Sequence, residues 1–413
     1  MIPFNKPAVV GRELDYIGQV VANGKTSGNG PFTQNCQRFF EKRHGFTKCL
    51  LTTSCTDALE MAAMLADLKP GDEIIMPSFT FVSTAQAFVR QGAKIVFADS
   101  GGDHPNVNVA RIEQLITPRT RVIVPMHYGG LACDMARILA LASKYQLLVI
   151  SDAAQAIDAD YGGALDFPEY PWLASLRKQR GRYPLGGVGH LSCFSFHETK
   201  NVQCGEGGML VINDPRFAGR AEVIWDMGTN RAKFNRGEVA TYEWVDVGSS
   251  FQPSEVTAAF LWGQLEQLKT VQDRRKVVWQ MYAEGLAPLA AQGLFSLIPI
   301  HPYATNNAHL FCLVCRTEDE RNKLIAFLRA RGITAAFHYQ GLHGSPFYRD
   351  AHAAGDLMNC RRFANCLVRL PLFYDLETAQ VSFVIAGIRA FYLQGVFCPT
   401  LAIVAQAPCR ENC

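Results

Sequence analysis

The chain has 413 residues, too many for one minimal core, and with 48 % hydrophobic residues it can bury a substantial one. The 40 Lys and Arg against 37 Asp and Glu leave a formal charge of only +3, and no basic block is interleaved with aromatics, which argues against nucleic acid or a membrane surface as a partner. Small molecules and a second copy of the chain are the expected partners.

The opening MIPFNKPAVVGRELDY has neither a basic start nor a following apolar core, so no secretory signal is expected. No apolar run approaches the roughly 20 residues that span a bilayer. The 13 cysteines are odd in number and scattered, which fits reduced thiols and a cytoplasmic location.

Between 56 and 213 short apolar runs alternate with helical patterns. Strands are predicted from EIIMP (73–77), AKIVFAD (93–99), RVIVPMHY (121–128), LLVISDAAQ (147–155), HLSCFSF (190–196) and GGMLVIN (207–213). In TDALEMAAMLADL (56–68), Ala58, Met61, Ala62, Leu65 and Leu68 share one helical face. Wholly apolar strands with helical crossovers predict a mostly parallel sheet covered on both sides. The stretch 163–184 reads as a long irregular insertion. From 256 the pattern becomes one long helix to 289, then a strand in HLFCLVCR (309–316), a helix over 321–332, a strand in ITAAFHY (333–339) and a helix ending near Tyr392. The expected organisation is a large α/β domain over 1–255, a smaller α+β domain over 256–392 and an extra tail over 393–413. Cys312 and Cys315 have CxxC spacing but lie in a strand-like run, where residues three apart point to opposite faces, so no metal site is expected.

Ligands of a parallel sheet sit beyond the carboxyl ends of its strands. There the strands deliver Asp152 and Gln155, then Ser195, His197 and Lys200, then His127 and Tyr128, with Phe81 after the strand at 73–77. The turn TTSCT opens a helix, so the N–H groups of Ser54, Cys55 and Thr56 form a candidate anion site. A phosphate-binding helix start, a carboxylate, an aromatic face and a lysine on one sheet edge are what pyridoxal phosphate requires: the carboxylate keeps the pyridine nitrogen protonated and the lysine forms the Schiff base. A nucleotide phosphate site is disfavoured, since no P-loop or dinucleotide fingerprint follows a strand. Simpler readings also exist: Asp152 as a helix cap, GEGG (205–208) as a tight turn, and His127, His338 and His343 as structural histidines.

The motifs SCTDALEMAA, GDEIIMPSFTFVSTAQAFVRQGAKIVFAD, TRVIVPMHYGG, SDAAQA, CFSFHETKN, GTNRAKF and VGSSFQPSEVTAAFLWGQLEQL resemble the DegT/DnrJ/StrS family of sugar-nucleotide aminotransferases, over residues from about Pro3 to Tyr392. The resemblance implies a fold type I pyridoxal phosphate enzyme in which Lys200 carries the cofactor, Asp152 pairs with its ring nitrogen and Gln155 with its ring hydroxyl. It further implies that Phe81 stacks on the ring and that Cys55, Thr56 and Ser195 hold the phosphate. The family forms homodimers with shared sites, so Ser249, Ser250 or Gln252 would reach a neighbour's phosphate, while Tyr128, His338 and His343 would face the sugar nucleotide. HETKN, GTNR and FHYQGLHG look most like family members that aminate dTDP-4-keto-6-deoxy-D-glucose to dTDP-4-amino-4,6-dideoxy-D-galactose, with L-glutamate as donor. A GDP- or UDP-linked keto sugar, the gluco epimer, and a non-catalytic cofactor-binding regulator are the alternatives.

Overall fold

The computed structural model describes residues 1–350 and 355–393, apart from the side chains of 177–180. The expected tail, beyond Leu393, lies outside the described residues. Helices α1 (Glu13–Asn23) and α2 (Pro31–His44) precede strand β1 (Lys48–Thr52), followed by α3 (Cys55–Leu65), β2 (Glu73–Pro77), α4 (Val82–Val89), β3 (Lys94–Ala98), β4 (Thr120–Ile123), α5 (Met135–Tyr145) and β5 (Leu148–Asp152). The small strands β6 (Asp160–Tyr161) and β7 (Tyr183–Pro184) pair around helix α6 (Trp172–Arg180), after which come β8 (Leu191–Ser195), β9 (Gly208–Ile212), α7 (Ala218–Trp225) and α8 (Arg231–Asn235). The remainder is α9 (Glu255–Glu266), α10 (Leu268–Ala291), β10 (Ser296–Leu297), β11 (Phe311–Val314), α11 (Glu318–Ala330), α12 (Met358–Cys366), β12 (Leu367–Leu370) and α13 (Thr378–Leu393).

Seven strands form the main sheet in the order β1-β9-β8-β5-β4-β2-β3. β3, β2, β4, β5 and β8 run parallel, and β9 is antiparallel to both neighbours. Ile74 and Met76 of β2 enter one core cluster and Ile75 the other, so alternate side chains of a wholly apolar strand feed both faces of the sheet. β10, β11 and β12 make a separate antiparallel sheet.

Four readings need revision. β1 is absent from the expected elements, because KCLLT is short and carries no distinctive punctuation. The single helix expected over 256–289 breaks at Gln267, whose φ −100° and ψ 8° end α9 before α10 begins. ITAAFHY forms no regular strand, only the bridges Ile2 to Ile333 and Ala336 to Arg369, and ends on Tyr339 at φ 46°. The insertion is not irregular throughout: it contains α6, and Tyr170 and Trp172 set their rings 5.0 and 5.5 Å from buried His190. No helix among the described residues is long and apolar enough to cross a membrane.

The start of α2 is fixed by one carboxylate. Glu255, fully buried at the start of α9, accepts from the N–H groups of Gly30 (3.0 Å), Phe32 (2.8 Å) and Thr33 (2.9 Å) and from the Thr33 hydroxyl, thereby capping α2. Glu255→Ala leaves these donors buried and unpaired and is expected to cost about 3–5 kcal/mol, read as a lower urea midpoint. A midpoint equal to wild type would show that α2 needs no such cap.

Candidate active site

Asp152, Lys200 and the starts of α3 and α4 converge on a cleft of about 740 Å³ at the carboxyl edge of the main sheet. The volume is in the range of small-molecule and cofactor sites. Its walls also include Phe81, Gln155, Ser195, His309, His338, Tyr339 and Arg369.

Ser54 is the N-cap of α3, its Oγ accepting from Asp57 N at 3.1 Å, which leaves the Cys55 and Thr56 N–H groups at the open first turn. Thr56 donates its hydroxyl to Ser83 Oγ (2.8 Å) in the first turn of α4, so two positive helix ends face the same corner. β9 passes so near this turn that a Cβ on Gly208 would lie 2.3 Å from the Ser54 carbonyl, and only glycine lets the strand approach. The last glycine of GEGG therefore lets β9 pack against the first turn of α3.

Asp152 ends β5 and is 4 % exposed. Its Oδ2 accepts from the Thr84 hydroxyl (2.6 Å) and its Oδ1 from Ala154 N (3.0 Å). Burial raises its pKa, opposed by those two hydrogen bonds and by the Lys200 ammonium. Lys200 follows β8 in a turn closed by its own N–H donating to the His197 carbonyl (2.9 Å). Burial lowers the lysine pKa, Cys55 and Asp152 act in the opposite sense, and Arg369 lowers it further. Gln155 is held at both ends, Oε1 by Gly129 N (2.6 Å) and Nε2 by the Tyr339 hydroxyl (3.0 Å), with one amide hydrogen left to give. Phe81 is 56 % exposed, a bare aromatic face on the cleft wall.

Not every predicted residue joins them. Tyr128 is 1 % exposed and does not line this cleft; Gly129 and Gly130 at φ 66° and 77° turn the chain so that its ring packs on Phe79 and its hydroxyl meets His338 Nδ1 at 2.8 Å. In this chain Tyr128 stands one step behind the cleft, hydrogen-bonded to His338, which does line it. His343 does not line the cleft of its own chain, and its Nδ1 lies 2.7 Å from the Ser78 hydroxyl. His127 is buried behind the site, its Nδ1 accepting from Cys133 N (3.2 Å), and burial lowers its pKa to about 4. Gln252 lies beside Gly28, away from the cleft of its own chain. Cys312 and Cys315 are both buried core thiols.

Three wall residues escape the sequence reading. Tyr339, stacked on His338 with ring centroids 3.6 Å apart, has the left-handed φ of 46° that bulky residues avoid. His309 is tied through Nδ1 to Asn201 Oδ1 (2.8 Å). Arg369, on β12, donates to the Phe337 carbonyl (3.0 Å), lies 4.5 Å over the Phe4 ring, and keeps a buried Nε with no partner. Lys200 and Arg369 make the cleft attractive to anions.

This set fits pyridoxal phosphate: an amine for its aldehyde, a buried carboxylate for its ring nitrogen, helix ends for its phosphate and a bare aromatic for its ring face. The whole chain supports the same conclusion. DesV of S. venezuelae, solved in complex with a ketimine intermediate, is 29 % identical and superposes with a TM-score of 0.81, covering 95 % of this chain and 98 % of its own. The aminotransferase TlmJ from Streptoalloteichus hindustanus is 26 % identical with a TM-score of 0.82, covering 94 % and 98 %. Spr1654 from Streptococcus pneumoniae, solved in its PMP form, shares the fold at 23 % identity, with a TM-score of 0.83 and coverage of 95 % and 100 %. Residues 8–389 match the profile of one family over nearly the full described length. The chain belongs to the DegT/DnrJ/EryC1/StrS aminotransferase family and works with pyridoxal phosphate.

Proposed function

We propose that the chain moves an amino group from L-glutamate to C4 of dTDP-4-keto-6-deoxy-D-glucose, giving dTDP-4-amino-4,6-dideoxy-D-galactose for surface polysaccharide synthesis in the cytoplasm. The observation that carries the chemistry is that Lys200, Asp152 and Arg369 line one cleft, the carboxylate and the guanidinium both acting on the lysine amine. The resemblance of HETKN, GTNR and FHYQGLHG supports the sugar.

Bound pyridoxal phosphate supplies an electron sink that acidifies the donor's Cα–H and alternates between aldehyde and amine forms. Lys200 would hold the cofactor through its aldehyde carbon, and its amine, once freed, would be the base that accepts the donor's Cα proton and releases it again. Asp152 keeps the ring nitrogen protonated, and Thr84 and Ala154 fix its two oxygens for that task. Cys55, Thr56 and Ser195 bind the phosphate, Gln155 gives its remaining amide hydrogen to the ring hydroxyl, and Phe81 covers the ring. His338, braced by Tyr128, contacts the nucleotide sugar. Tyr242, Trp244, Val245 and Val247 are 45, 80, 53 and 66 % exposed, an apolar stretch that supports a homodimer in which Ser249, Ser250 or Gln252 completes the neighbour's phosphate site.

Arg369 binds the donor carboxylate in this reading. Arg369→Gln is expected to raise KM for L-glutamate about 10- to 100-fold with a smaller change in KM for the sugar nucleotide, because one charge-assisted hydrogen bond is lost. Unchanged glutamate KM would remove that role. The substrate itself is tested by a panel of dTDP-, UDP- and GDP-linked 4-keto sugars with glutamate, product stereochemistry being read by NMR. Amination of the dTDP sugar to the galacto product supports the proposal, and preference for another base or the gluco epimer replaces it.

A further inference from the structure

Three side chains that the cleft does not use meet elsewhere. Asp103 and His104 lie in the loop after β3, and His301 lies between β10 and β11. One nitrogen from each imidazole and one Asp103 carboxylate oxygen all lie within 4.8 Å of one another, and the two rings stand edge to face with centroids 4.8 Å apart. His104 Nδ1 and His301 Nε2 are buried without a hydrogen-bond partner, an uncommon state for imidazole nitrogens. The nearest charge is weakly engaged, since Asp103 Oδ1 is 3.8 Å from His104 Nε2.

Two imidazoles and a carboxylate are the three-ligand set of open zinc sites, and imidazole suits divalent transition metals generally. We propose that Asp103, His104 and His301 bind a divalent transition-metal ion, Zn²⁺ foremost, with solvent in the remaining position. Neighbouring ligand atoms around tetrahedral zinc are about 3.3 Å apart, so the cluster must contract by up to about 1.5 Å. Asp103, with a side chain 61 % exposed, is free to make that move. The backbones that present the histidines are already fixed. Gly101 N donates to the Asn106 carbonyl (2.9 Å) around His104. Ala304 N donates to the His301 carbonyl (2.8 Å), and His301 stacks on Tyr303 at 5.2 Å.

The ion would act as a staple. It would join the loop after β3 to the segment that runs on through Asn307, which donates to the Gln155 carbonyl (2.8 Å), to His309 on the cleft wall. No sequence motif announces it, because the ligands come from two segments far apart in the chain.

The test uses the cofactor-loaded, tag-free protein stripped with EDTA. Titration with ZnCl₂ by calorimetry is expected to show one ion per chain with a Kd of about 1 µM or below, and saturation to raise Tm by about 2–5 °C. Co²⁺ in its place is expected to give visible d–d bands without a thiolate charge-transfer band. His301→Gln and His104→Gln should abolish binding, and Asp103→Asn, at an exposed side chain that leaves the fold intact, should weaken it about tenfold or more. Absence of heat and of a Tm shift in the wild type, a thiolate band, or binding that survives both Asp103→Asn and His301→Gln would overturn the proposal.

Discussion

Lys200→Ala is expected to lower kcat by at least about 10⁴-fold, because one amine serves as both covalent anchor and proton carrier. The turn that presents it does not depend on its side chain: the main chain closes on the His197 carbonyl, and the His197 ring lies 2.9 Å from the Thr199 hydroxyl. The alanine protein should therefore fold, with the cofactor bound only by its phosphate and ring and without the long-wavelength absorbance that covalent attachment gives. Burial depresses the lysine pKa, so in the cofactor-free protein the nucleophilic free amine appears at lower pH than for a solvated lysine. The same shift affects stability. Between the depressed folded value and the unfolded value of 10.5 the unfolded chain binds more protons, so the apoprotein gains stability as pH rises through that window, and Lys200→Ala lacks the gain. Turnover within about 100-fold of wild type, or an unchanged visible spectrum after reloading, would assign the anchor to another residue.

The residues legible in the sequence share one physical origin. β5 and β8 are parallel strands buried at all but one residue each, so their apolar runs are unmistakable, and whatever follows such a run lands at the ligand edge of the sheet. That rule places Asp152, Gln155, Ser195 and Lys200. Tyr128 also follows a parallel strand yet lies off the cleft of its own chain, where Gly129 and Gly130 turn the backbone through left-handed conformations; the GG after the tyrosine is the available signal. Tyr339, His309 and Arg369 are out of reach for another reason. They come from segments beyond residue 300 whose approach to the cleft is set by how β11 and β12 pack, and neither periodicity nor spacing encodes a contact over that separation. The family resemblance gives the reaction class, yet this part of the cleft wall is legible only in three dimensions.

Asp152→Asn tests the electronic half of the mechanism and is expected to cost about 10³-fold in kcat. The substitution is nearly isosteric, and an amide can keep the contacts from Thr84 and Ala154 through its one oxygen and a rotated hydroxyl, so the fold and cofactor binding should survive. What it removes is charge. In the cofactor-free cleft burial holds the Asp152 pKa up although the Lys200 ammonium opposes it, the condition of a carboxylate that a closer cation would stabilise. A protonated ring nitrogen supplies that cation, and by linkage the carboxylate raises the ring nitrogen's basicity to the same degree that the ring lowers the acid's. Asparagine offers no such exchange, so the ring nitrogen reverts to neutral and cannot draw electrons from the donor's Cα. Single-turnover reaction with L-glutamate separates this from a binding defect: the rate at saturation should fall while the half-saturating glutamate concentration changes little, because in the proposed reaction the carboxylate would be held at Arg369. An Asp152→Asn enzyme within about tenfold of wild type would mean that the ring needs no proton, and Asp152 would then be only the buried end of β5.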